Sequence, residues 1–312
     1  MCHEAVYGGW RLEIAAGRKR IVVLRKELRR AKRFEKVLRH KPINPVRRKR
    51  SDTLKYIKIY SACVKTAFSQ AAAYRADFIM GSFITLLSNI LFPLVTILIY
   101  ANGAEFPGWD MWEVLLIQSV YSMSTGISSM LLSSVVWVTM DHIRGGSFET
   151  VLLKPVSPLF FIMASNFDVQ SIGLFLGGVI MAVIAAVHTG IGGLMDVVAF
   201  LLLFVAGLLV LCGMNLMMAA ISFKWVGNSR IPEIFDSIST FGKYPLTIFP
   251  RAVQILSVLI IPVAVIGFFP ASALLGRVDG KAFLSLIPCV LFLCLGIWLY
   301  NKMIRLYEGV GG

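Results

Sequence analysis

Six stretches of this 312-residue chain, each 20 residues or longer, contain no Asp, Glu, Lys or Arg: 78–104, 114–140, 169–195, 197–223, 252–276 and 282–301. The hydrocarbon core of a bilayer, about 30 Å thick, is crossed by roughly 20 apolar residues at 1.5 Å per residue. Backbone polar groups find no partner in lipid, so only helices or closed barrels cross it. The runs are continuous rather than alternating, which argues against a barrel. Windows this long and this apolar also argue against strands of a large soluble core. The expected fold is an all-α integral membrane protein with six transmembrane helices. Composition agrees, with 57% hydrophobic and 15% charged residues against about half and a quarter in soluble domains.

The net charge of +14 is distributed unevenly. Residues 1–50 hold 17 Lys/Arg against 4 Asp/Glu, and the other 262 residues hold 14 against 13. The chain therefore divides into a basic arm, residues 1–53, and an oily body, residues 54–312. In the arm, Ile21, Leu24, Leu28, Ala31, Phe34 and Leu38 recur at steps of three and four, the pattern of a cationic amphipathic helix. Such a helix suits an anionic membrane surface. Nucleic-acid binding and upstream sequence read through from an early start codon are the other readings, the former ranked well below the membrane. No signal or transit peptide is expected, because the first long apolar window begins only near Phe78.

Short loops orient the body. Residues 102–112 and 188–196 lack Lys and Arg, whereas the 141–158 loop, the 224–251 loop and the tail after Asn301 carry them. Both termini are expected in the cytoplasm, with Arg277 and Lys281 as a mild exception outside. Three of the five cysteines (Cys212, Cys289 and Cys294) fall inside predicted spans and no CxxC pair occurs, so neither a disulfide framework nor a zinc site is expected.

Catalytic motifs are missing. There is no P-loop to cradle phosphate, no HExxH, no GxSxG and no cluster of His with carboxylates. Asp168 and Asp196 sit at window edges as interface residues. Asn89, Gln118, Asn215 and the Ser/Thr-rich run 119–134 suit interhelical hydrogen bonds or a polar substrate path equally. Gly173 and Gly177 form a GxxxG pair able to seat a neighbouring helix. In the 141–158 loop, Gly145 and Gly146 break a helix, Ser147 can cap a new one, and Pro155 ends it after about two turns. Phe148, Val151 and Leu152 would share one side, with Glu149 beside them. Such a helix is either a docking knob for another protein or a surface helix tucked under the bundle.

That loop resembles a segment of type-2 ABC-exporter permeases in which Arg, Gly, Thr or Ser, a hydrophobic residue, Glu, Leu-Leu and Pro follow in order, here Arg144, Gly146, Ser147, Phe148, Glu149, Leu152, Leu153, Lys154 and Pro155. Tyr74-Arg75-Ala76-Asp77-Phe78, the run from Leu153 to Phe160, Lys243-Tyr244-Pro245-Leu246-Thr247-Ile248-Phe249-Pro250, and Ile261 to Arg277 are similar to segments of one six-helix bacterial branch. The resemblance covers about residues 54–308 and leaves out the arm. It implies the membrane half of an exporter in a bacterial inner membrane, working by alternating access. It also implies a second permease, as homodimer or related chain, and separate P-loop ATPase subunits that hold ATP and Mg, with no cofactor or metal on this chain. Residues 147–154 would be the coupling helix. Residues 54–75, continuing through Tyr74, Arg75 and Asp77, would be an interfacial helix. Pro262 and Pro270 would shape the outer end of the fifth span and a short re-entrant or elbow segment.

Two other classes remain as alternatives. An ATP-independent channel or gradient-driven carrier is opposed by the lack of charge inside the windows. A membrane enzyme acting on lipids would need a clustered polar set, and the sequence shows none. Spans lined with Ser, Thr, Asn, Met and Phe would accept a drug-like amphiphile, a lipid-linked molecule or a peptide.

Overall fold

A computed structural model describes residues 45–225, 230–278 and 280–307. The chain divides into two compact units, 1–57 and 58–312. The amphipathic pattern at 18–41 lies outside the described residues.

Helix α1 (Pro45–Ala73) meets α2 (Arg75–Ala101) at Tyr74, where the helical dihedrals lapse. From Ile59 onward, Ile59, Tyr60, Cys63, Val64, Ala67 and Ala71 are half-buried while the residues between them are exposed, a stripe at three- and four-residue steps. Four long helices follow that stripe: α2, α3 (Met111–Arg144), α6 (Ile172–Thr189) and α7 (Leu194–Ser222). Each matches one charge-free window. Between α3 and α6 lie two short helices, α4 (Phe148–Leu152) and α5 (Pro158–Ser165). The last span is α11 (Leu286–Arg305), entered through a 3₁₀ turn. The end of the bundle that carries α4 is called the near face, and the end with residues 102–110 the far face.

Helix α3 is the axis. Its start is fixed by a capping box: the Trp112 amide donates to Asp110 and the Asp110 amide to Glu113 (3.1 and 3.0 Å). Small residues let backbones approach. A Cβ added to Gly173 would meet the Ser82 carbonyl, and one on Gly126 would lie 2.7 Å from the Phe175 amide nitrogen. The GxxxG pair thus seats α2 against α6, as the spacing predicts. Helices α7 and α11 meet the same way, Gly296 against Gly213. Polar residues join spans as well: Gln118 donates to Thr96 (2.7 Å), Ser122 to Asn89 (2.7 Å) and Asn215 to Ser128 (3.3 Å). Asp168 and Asp196 accept amides at the starts of their helices, in keeping with edge positions.

The fifth crossing departs from expectation. Residues 252–276 do not form a spanning helix. Helix α9 (Arg251–Ile255) runs into a π-helical turn, Leu256–Ile260, and α10 (Phe268–Leu274) leaves at 78° to this first arm. Contacts with α3 give the depth of each piece. Both arms begin and end near the far face, where Trp109 donates to Thr247 (2.9 Å) and Arg277 grips Glu113. Their tip, 263–267, reaches Ile117, Tyr121 and Ser124, whose hydroxyl donates to the Ile266 carbonyl (2.9 Å). Ser124 is 14 residues beyond Asp110, roughly 21 Å along the helix. The segment is a re-entrant hairpin. Pro262, which has no N–H, and the 3₁₀ turn Val263–Val265 make its bend.

The true fifth crossing is the segment expected to be an inner loop. Helix α8 (Arg230–Ser239) packs Ile231 and Phe235 against Val136, Met140 and Met218 in the near half. Ser239 bonds the Tyr121 hydroxyl (2.8 Å) at mid-depth, and Tyr244 packs on Phe106 at the far face. From Ile231 to Thr247 the chain therefore passes α3 from Met140 to Trp109. Six crossings stand, but Lys243 and Arg251 are not near-face residues.

Candidate functional site

Two features carry chemistry: the near-face turn and a polar cleft at mid-depth. In the turn, Gly145 ends α3 and Gly146 takes φ +63°, a left-handed conformation that glycine adopts without strain. Helix α4 is shorter than the two turns expected, five residues. Ser147 does not cap it through its side chain; its hydroxyl bonds His142 Nδ1 instead (2.8 Å). Phe148 and Val151 point inward, 0% and 1% exposed. Phe148 meets the rings of Phe223 and Tyr307 edge-on at 4.9 and 5.2 Å, and Phe223 also touches Tyr300. Ile143 and Ile162 complete this cluster.

The outward side of α4 is Glu149, Thr150, Leu152 and Leu153, the last 84% exposed. Leu152, one turn on from Phe148, is 40% exposed at the edge of their side rather than sunk with them. Lys154 folds back over the Phe161 ring (5.6 Å), and Pro155 is exposed where the helix has ended. Arg144 is exposed at the end of α3. At the α1–α2 junction, Tyr74 is exposed, Arg75 Nε donates to the Ala72 carbonyl (3.1 Å), and Asp77 accepts from Gln170 (3.4 Å).

The cleft, about 500 Å³, lies among α2, α3, α7 and α8. One stripe of α3 (Ser122, Thr125, Ser129, Ser133) gives it a hydroxyl wall, and Asn89 and Asn215 add amides. Asp236 and Lys243 line it too. Lys243 Nζ lies 3.6 Å from the centre of the Phe92 ring and 5.0 Å from that of Tyr121. Both charges were assigned by sequence to an inner loop, so the cleft was missed. The signal was the alternation in 230–243: Ile231, Phe235 and Ile238 recur at helical steps, opposite Glu233, Asp236, Ser237 and Thr240. Among the described residues no group of three or more His, Cys, Asp or Glu is placed to hold a metal.

No curated protein and no solved structure matches the chain. The description "ABC-2 family transporter protein" fits residues 84–311. That stretch holds the near-face turn, the whole cleft lining and all spans but the start of α2, and leaves out Tyr74, Arg75 and Asp77. Hydropathy, five helices long and apolar enough to cross a membrane, and this match agree: the chain is a multi-pass membrane permease of an ABC transport system and belongs to the ABC-2 transporter family.

Proposed function

We propose that this permease is the membrane half of an exporter driven by separate P-loop ATPase subunits, which hold the ATP and Mg. It would lie in a bacterial inner membrane with its near face and both termini in the cytoplasm. The ends of the spans there carry Arg75, Arg144, Lys224, Arg230, Lys302 and Arg305, whereas the far face has Arg251, Arg277 and Lys281; cytoplasmic loops favour Lys and Arg. A second permease, the same chain or a related one, completes the transporter, and alternating access moves the substrate.

The observation that carries this reading is the two-sidedness of α4. Phe148 and Val151 are sunk among the ends of three spans while Glu149, Leu152 and Leu153 are presented outward. An exposed leucine pair on a polar face offers apolar area for another protein to bury. Residues 147–154 are accordingly the coupling element, and the half-buried stripe of α1 is the interfacial helix beside it. The arm, residues 1–53, plays no part in transport in this reading.

The test is co-purification with a P-loop ATPase encoded nearby. Leu153→Asp and Glu149→Ala should each cut complex formation and stimulated ATPase activity about tenfold, the share of one anchor. Wild-type values for both variants would overturn the assignment. Phe148→Ala should lower both readouts indirectly, through a cavity that costs about 3–5 kcal/mol of stability. A second reading, a gradient-driven carrier, gains one observation from the structure: Asp236 and Lys243 lie at membrane depth, where ionisable groups mark ion or substrate paths. Transport by the chain alone in liposomes would favour it.

A further inference from the structure

We propose that Lys243 is the receptor for the oxyanion head, carboxylate or phosphate, of an amphiphilic substrate bound in the mid-depth cleft. This rests on the exporter reading and supplies the substrate class that reading lacks.

The argument begins with donors and acceptors. An ammonium carries three N–H donors and no acceptor. Lys243 offers its charge to two ring faces, Phe92 and Tyr121, and among the described residues no carboxylate lies within 4 Å of it. Ring faces attract a cation but leave its N–H groups without oxygen partners. Asp236 lines the same cleft on the same segment, seven residues away, and offsets the charge only at a distance. A cation at membrane depth is expensive unless a partner meets it.

Much of the wall's donor capacity is already spent. Four of its hydroxyls give their protons to the protein: Ser122 to Asn89, Thr125 to the Tyr121 carbonyl, Ser133 to the Ser129 carbonyl and Thr240 to the Ser237 carbonyl. They turn lone pairs toward the cavity, fit to accept from hydroxyl or amide groups of a ligand and unfit to bind an oxyanion. Lys243 is left as the strong donor. The remaining lining, including Ile84, Trp137, Leu174 and Met214, is apolar. About 500 Å³ falls within the range of sites for drug-sized molecules. One cation, a hydroxyl stripe and an apolar wall describe the counter-image of an anionic amphiphile. A cationic amphiphile fits less well, because Lys243 already occupies the two rings that would hold its charge.

The test uses the purified full-length permease in neutral detergent without any ATPase, so a failure here is separate from a failure of the coupling assignment. Dodecanoate, dodecyl phosphate and dodecyltrimethylammonium are titrated, and affinity is read from quenching of tryptophan fluorescence. Wild type should bind at least one anion more tightly than the cation, and which anion wins separates a carboxylate from a phosphate source. Lys243→Met should weaken that binding about tenfold or more, whereas Lys243→Arg should keep it within a few-fold. Ser88 lines the cleft and is exposed, so Ser88→Trp fills the site without disturbing the core and should also abolish binding. Unchanged anion binding in Lys243→Met or Ser88→Trp would overturn the proposal. So would equal binding of all three probes, no binding of either anion, or a preference for the trimethylammonium.

Discussion

The four long helices between Arg75 and Ser222 and the stretch from Arg230 to Leu275 meet the same solvent in opposite ways. The former cross as unbroken helices, each satisfying its own backbone, and carry no acid or base in the middle of a span. The latter crosses in pieces: a ten-residue helix, two 3₁₀ turns, a hairpin with a π-helical arm, and a charge of each sign in the cleft. Its freed backbone groups are met by neighbours, the Ile266 carbonyl by Ser124 and the Leu274 carbonyl by the Gly192 amide (3.0 Å). Irregular backbone at this depth is tolerated where protein or a cavity surrounds it. The unbroken spans supply that surround. The broken stretch adds the cleft's two charged groups to the hydroxyls and amides of the unbroken spans.

The largest effect that would break this comparison is all-or-none. With the native cysteines replaced, Thr247→Cys and Val278→Cys should be modified by an impermeant maleimide from the same side of intact cells. Labelling from opposite sides would mean that 252–276 spans after all. A smaller effect sharpens the hairpin's hold. Arg277 grips Glu113 through two contacts (2.7 and 2.9 Å) with the carboxylate 11% and the guanidinium 49% exposed. Arg277→Ala should therefore cost about 1–2 kcal/mol, between the values for exposed and buried pairs, read as a lower thermal midpoint. The smallest belongs to the unbroken part. At Gly177 a Cβ would come 3.3 Å from Asn89 Nδ2, the mobile end of a side chain. Gly177→Ala should cost less than about 1 kcal/mol, well below Gly173→Ala, where the obstacle is the Ser82 backbone. Equal costs at the two glycines would mean that the helix contact is looser than described.

Legibility follows the same division. The unbroken spans could be read because hydropathy, length and helical structure coincide in them. The GxxxG contact and the edge positions of Asp168 and Asp196 could be read for the same reason: spacing along a helix determines facing. Residues 230–250 defeated that logic. Arg230, Glu233, Asp236 and Lys243 exceed what a charge-free window admits, so an amphipathic crossing looked like a loop, and the apolar 252–276 looked like a span. Which of two adjacent segments crosses and which doubles back is decided by packing on α3. At the near face, the motif marked the turn correctly, but which side of α4 points inward depends on Phe223, Tyr300 and Tyr307, rings brought there from 70 to 160 residues away along the chain. Lys243 belongs to a stretch that carries the family resemblance, and nothing in its neighbours along the chain places it over Phe92.

Those four rings have a mechanical consequence. Phe148 is held edge-on by residues at the ends of α7 and α11, and Ile143 ties the same cluster to the end of α3. A five-residue helix wedged in this manner has no hinge of its own and little compliance. In the proposed coupling, a push on Leu153 would pass to three spans at once, as a load on a rivet passes to every plate it joins. Tilting this half of the transporter would then need no bending of the handle, only rotation of the bundle to which it is fastened.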